Sequence, residues 1–104
     1  MTPSRIRFHP DAEAELIAGA LWYEEHSSNL GLDFLATLEL ELDRLLANPG
    51  LGRQMLVTDA GAVVRRVLTP RFPYGVIYLA TSVEIQVLAI AHLRRKPGYW
   101  KERV

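Results

Sequence analysis

The chain has 104 residues, 49% of them hydrophobic and 23% charged, and it contains no cysteine. That length predicts one domain over residues 1–104, and the composition excludes a disordered segment, disulfide bonding, Cys-based zinc sites and thiol catalysis. Twelve basic and twelve acidic residues cancel, but residues 1–50 hold nine acids against three bases and residues 51–104 nine bases against three acids. The halves therefore carry −6 and +6, which implies an acidic and a basic surface on one small body, or halves that neutralise each other across the fold. The longest apolar run, Leu16 to Tyr23 with a glycine inside it, is far short of the ~20 residues a membrane span needs. The first residues carry no secretory apolar region. A cytoplasmic protein is expected.

Arg5 to Phe8 alternates basic and apolar residues and reads as a short strand. Pro10 suits a first helical position, and Asp11, Glu13 and Glu15 place negative charge where the helix dipole favours it. Leu16, Ile17, Ala20, Leu21 and Tyr23 recur at three- and four-residue spacing, and the polar cluster His26 to Asn29 ends that helix. A second helix is expected over Leu32 to Ala47. Phe34, Leu35, Leu38, Leu42, Leu45 and Leu46 are its apolar stripe, and Asn48-Pro49-Gly50 stops it. The short connection makes the two an antiparallel hairpin. Residues 49–62, with three glycines and a proline, read as a loop. Strands follow at Val63 to Thr69, Tyr74 to Ala80 and Glu84 to His92. The last is so nearly continuous in apolar residues that it belongs inside a sheet with both faces covered. Pro97 to Val104 is expected to form a last helical turn carrying Tyr99 and Trp100.

The predicted fold is α+β, in the order β-α-α-β-β-β, with the helical hairpin packed on one face of a small twisted antiparallel sheet. The other face is left to the tail, to a partner, or partly open.

No Walker or Rossmann loop, no His-Glu-x-x-His and no Gly-x-Ser-x-Gly is present, and His9, His26 and His92 lie far apart in sequence. No metal site and no cofactor is implied. The chemistry concentrates instead in a basic, aromatic second half. Arg65 and Arg66 are successive strand residues and point to opposite faces, so one of them needs an anionic partner on the helix side. Arg71 follows in a turn. His92 ends the apolar strand, Arg94, Arg95 and Lys96 come next, and Tyr99 and Trp100 lie just beyond. Guanidinium forks match phosphates and carboxylates, and aromatic rings stack on bases, so this face suits RNA or an acidic peptide. The plainer alternative makes the arginines a solvated strand end and the two aromatics plugs of the core.

Val64-Arg65-Arg66, then Arg71-Phe72-Pro73-Tyr74-x-x-x-Tyr78, then Val87-Leu88-Ala89-Ile90-Ala91-His92-x-Arg94-Arg95-x-Pro97-x-Tyr99-Trp100 resembles the ParE/RelE toxin superfamily. The resemblance covers essentially the whole chain. It implies a RelE/ParE-like fold and the toxin of a type II toxin–antitoxin pair, often called a plasmid stabilisation protein. It also implies a cognate antitoxin that wraps the toxin and holds it inactive, in an assembly that can be a hetero-oligomer. ParE-like members bind and poison DNA gyrase without being enzymes, and here Arg65, Arg66, Arg71, Arg94, Arg95, Tyr99 and Trp100 would be the target or phosphate contacts. RelE-like members are endoribonucleases that cut mRNA on the ribosome. In that alternative His92 and Tyr99 would be the acid/base groups, with Arg65 among the phosphate clamps. The lysines RelE uses ahead of its second strand have no counterpart in residues 49–62, whose one base is Arg53, and the Pro97-x-Tyr99-Trp100 ending is nearer the ParE branch. An inactive antitoxin-binding module is a further alternative.

Overall fold

A computed structural model gives the structure and describes residues 3–104. β1 (Arg5–Phe8) leads into α1 (Pro10–His26) and α2 (Leu30–Ala47), and β2 (Arg53–Val57), β3 (Val63–Leu68), β4 (Tyr74–Ala80) and β5 (Glu84–His92) follow. A 3-10 turn, Lys101–Arg103, lies near the end of the chain. All strands join one sheet in the order β1-β5-β4-β3-β2.

The order β-α-α followed by antiparallel strands is the one expected from sequence, with two corrections. The stretch 49–62 is not all loop, because Arg53–Val57 forms an edge strand antiparallel to β3. Its strand state comes from that pairing and not from its own pattern: a register shift sits between Gln54 and Leu56, and Leu56 is its one half-buried residue. The sheet is also not wholly antiparallel, since β1 runs parallel to β5, Arg5 opposite Glu84 and Phe8 opposite Val87. The helical hairpin carries the chain across one face from β1 to β2 at the opposite edge, and β1 and β5 are so far apart in sequence that their pairing leaves no local signal.

The hairpin is built from its caps. The His9 ring accepts the Asp11 N–H at 3.0 Å, and Pro10 occupies the first turn of α1. Asn29 takes a left-handed conformation (φ 70°) ahead of α2. The Glu24 carboxylate, reaching from α1, accepts the Asn29 and Gly31 N–H groups at 2.9 and 3.0 Å. Gly31 allows the close crossing, because a Cβ there would run into the Ala20 carbonyl. α2 therefore begins at Leu30, two residues earlier than the sequence reading placed it. Ile17 and Leu21, read as part of the apolar face of α1, are 51% and 59% exposed; the buried row is Ala12, Gly19 and Tyr23.

Two apolar layers sandwich the sheet. The larger, under the helices, gathers Phe34, Leu38, Leu45, Val76, Tyr78 and Ile90 among others. The smaller, on the opposite face, gathers Val64, Ile77, Leu79, Leu88, Ala89 and Trp100. A bulge at Ile77/Tyr78 in the β4–β5 pairing lets Leu88 and Ala89 share one face, which explains the unbroken apolar run of β5. The tail covers the second face through Trp100, which is 4% exposed.

Candidate functional site

The residues singled out from sequence separate into two groups. Arg65 and Arg66 do point to opposite faces. Arg65 lies on the helix side but finds a main-chain acceptor in place of the expected anion, donating to the Gly52 carbonyl at 2.9 Å. The Tyr78 hydroxyl completes that corner by accepting the Gly52 N–H at 2.9 Å and donating to the Pro49 carbonyl at 2.8 Å. Arg71, left-handed in the β3–β4 turn, reaches Asp33 of α2 at 3.6 Å and lies over the Phe72 ring. Arg65 does not belong with the strand end. Arg65 pairs with Tyr78 on β4 whereas His92 pairs with Tyr74, so about 13 Å of strand separates their rows at ~3.3 Å per residue.

Arg66, His92, Arg95, Tyr99 and Trp100 do come together, lining a shallow cleft where β5 passes into the tail. A compact turn presents them. The Leu93 N–H donates to the Pro73 carbonyl at 2.9 Å, the Arg95 N–H to the His92 carbonyl at 3.0 Å, and the Arg94 N–H to His92 Nδ1 at 3.1 Å. The His92 ring stands edge-on to Tyr74 with centroids 5.1 Å apart. Arg95 lies 4.0 Å above the Tyr99 ring, and Arg94 and Lys96 project into solvent. Trp100 is buried, so it supports this surface from beneath.

Glu15 organises the site, and sequence reasoning read it only as helix-dipole charge. β1 stops pairing at Val87, which leaves the next part of the β5 edge open. Glu15 Oε1 accepts the Ile90 N–H there at 3.0 Å, and Arg103 donates to the Leu88 carbonyl at 3.0 Å. Carboxylate and guanidinium then join at 2.9 and 3.1 Å, with the Tyr99 hydroxyl donating to Glu15 Oε2 at 2.8 Å. The ion pair thus satisfies the strand edge in place of a neighbouring strand. Burial first, and then the bond to Glu15, push the Tyr99 phenol well above its ordinary range; Glu15 likewise raises Arg103. The available signal was position: Glu15 is a carboxylate beside the buried Ala12–Gly19–Tyr23 row of α1.

This pairing also bears on the divided charge. Glu84 holds Arg5 and Arg7 at 3.3 and 3.0 Å, and Glu15 and Asp11 hold Arg103, so several ion pairs link the two halves of the sequence. Glu25, Glu39 and Asp43 stay exposed on the helices, as do Arg94 and Lys96 at the strand end. Among the described residues no cluster of metal-ligating side chains occurs, and no helix is long and apolar enough to cross a membrane.

Comparison with known proteins places these features in a family. Residues 6–97 match the model described as ParE toxin of type II toxin–antitoxin system, parDE. The fold is similar to a solved structure titled as a chromosomal ParDE TA system from P. aeruginosa. The TM-score is 0.71 at 24% identity, over 88% of this chain and 96% of that one. The comparison with curated proteins gives no match.

Proposed function

Because this chain belongs to the ParE toxin family of type II toxin–antitoxin systems, we propose that it arrests growth by binding DNA gyrase through the basic surface at the end of β5, and that a cognate antitoxin neutralises it. Arg94 and Arg95 are the charged contacts, His92 and Tyr99 shape the surface, and Trp100 holds it from below. The observation that carries this reading is the state of Tyr99. Its proton is committed to Glu15 and its ring lies under Arg95. A phenol held so far from ionisation is a poor general base, and Arg65 lies on another part of the sheet from it. The site has the character of a rigid arginine–aromatic recognition surface, the residue types that dominate protein interfaces.

The test is a supercoiling assay with purified gyrase. The wild-type chain is expected to inhibit, and the Arg94→Glu, Arg95→Glu double variant to need at least tenfold more protein for the same inhibition. Supercoiling unaffected by saturating wild-type chain would overturn the reading.

A further inference from the structure

Ion pairing divides the basic residues unevenly. Glu84 holds Arg5 and Arg7, Glu41 holds Arg44, Asp33 holds Arg71 and Glu15 holds Arg103. Among the described residues Arg53, Arg66, Arg94 and Lys96 have no carboxylate partner, and they gather where β2 and β3 approach the turn after β5. Glu102 is the only acid in residues 93–104.

Arg53 and Arg66 face each other directly across β2 and β3. Directly opposed residues share a face of the sheet, and like charges there are destabilising. Arg66 runs from that pair toward the strand end. Its Cγ and Cδ pass over Gly75 of β4, each 3.2 Å from where a Cβ would stand. The missing side chain of Gly75 thus makes the trough that holds Arg66 half-buried, in the cleft it shares with Arg95 and Lys96. From β2 to β5 this row crosses about 14 Å of sheet, at ~4.8 Å between strands. In a chain with no net charge, a row of cations without counter-charges is a local site for an extended anion.

The aromatic rings decide which anion. Unpaired bases are bound by stacking on open rings. Here the Arg95 and Arg103 guanidinium groups already lie 4.0 and 5.0 Å from the Tyr99 ring centre, Trp100 is buried, and His92 stands against Tyr74. The structure therefore disfavours the unpaired RNA that the sequence alone allows. Cations without a stacking platform suit a duplex held by its phosphates, about four of which pass along 14 Å of one strand at ~3.4 Å each.

We propose that this row is a phosphate contact for duplex DNA, and that the chain bound to gyrase also grips the DNA gyrase holds. The second half rests on the gyrase reading above; the duplex contact does not.

The probe is a short fluorescein-labelled DNA duplex of mixed sequence, titrated with the purified full-length chain at several salt concentrations and read by anisotropy. The wild-type chain is expected to bind, with log affinity falling against log salt at a slope of about −3 to −4. The Arg53→Gln, Arg66→Gln double variant is expected to lose about tenfold or more in affinity and to flatten the slope by about two; Lys96→Gln flattens it by about one. The double variant relieves a like-charge pair and should melt no lower than wild type, and Lys96→Gln at an exposed position tests the row independently of that fold. Arg5→Gln is the control at the opposite edge, where Arg7 still holds Glu84, and its slope should match wild type. Absence of duplex binding, wild-type slopes in both row variants, or an equal loss in Arg5→Gln would overturn the duplex contact. Tighter binding to single-stranded RNA than to the duplex would assign the row to RNA and overturn it as well. Affinity for gyrase with and without the duplex tests the second half: a gain with DNA that the double variant loses is expected, and equal affinities would overturn the shared grip. Absence of gyrase binding in both conditions would overturn the gyrase reading, whereas the DNA titration alone decides the duplex contact.

Discussion

Replacing Glu15 by alanine removes one carboxylate and leaves three donors without their acceptor. These are the Ile90 N–H, the Tyr99 hydroxyl and the Arg103 guanidinium, now at 3.0, 2.8 and 2.9 Å from it. The side chains of Glu15 and Arg103 are 15% and 13% exposed, so solvent replaces these bonds poorly. Breaking a buried pair by removing one partner costs about 3–5 kcal/mol. Arg103 retains the Leu88 carbonyl and a carboxylate at 3.8 Å on Asp11, which places the expected loss near the low end, about 3 kcal/mol. Against a total stability of about 5–15 kcal/mol this is a large share. In a chain of 104 residues it corresponds to a fall in Tm of about 15 °C. Urea unfolding followed by far-UV circular dichroism measures it. Glu15→Gln, which keeps an acceptor, is expected to lose about half as much. The double variant Glu15→Ala, Arg103→Leu should cost clearly less than the sum of its parts, because the second change removes the charge the first left unpaired. A loss below about 1 kcal/mol for Glu15→Ala, or strict additivity in the double variant, would refute the edge-clamp role.

Trp100→Ala opens the second apolar layer and is expected to cost about 3–5 kcal/mol, read as a lowered urea midpoint; a midpoint within error of wild type would mean the tail does not cover that face. Gly31→Ala drives a methyl into the Ala20 carbonyl at the helix crossing and should cost about 1–3 kcal/mol by the same assay, whereas Gly61→Ala in the open β2–β3 loop meets no atom and carries only the strain of its positive φ. Tyr23, Tyr74, Tyr78 and Tyr99 all have their ionisation pushed up by burial. A phenol raised in the folded state contributes stability that is complete below its unfolded value near 10 and is lost as pH climbs toward the folded value. Unfolding free energy should therefore decline above pH ~10, and Tyr99→Phe should make that decline shallower; a flat profile to pH 11 would contradict the burial of these rings.

The parts of the fold legible in sequence were those with a local signal. Pro10 and the acids after it marked the start of α1, Asn48-Pro49 the end of α2, and the apolar run of β5 its central place. β2 was hidden because Arg53–Val57 has no alternation of its own and a register shift interrupts its pairing. The site was half legible. Arg94, Arg95 and Tyr99 were visible as a basic aromatic ending, and the structure sets them on one turn. Arg65 and Arg71 carried the same chemical signal but were drawn off by local partners, the Gly52 carbonyl and Asp33. The bonds from Tyr99 and Arg103 to Glu15 span 84 and 88 residues, and the close packing of Phe34 against α1 depends on the missing side chain of Gly19. Spacing along a chain encodes neither.

The most direct measurement is to induce the chain alone in bacterial cells and map mRNA 5′ ends during growth arrest. Action through gyrase predicts arrest with messages intact. New translation-dependent cuts within codons would contradict it, and would make His92 and the arginines around it groups that act on RNA.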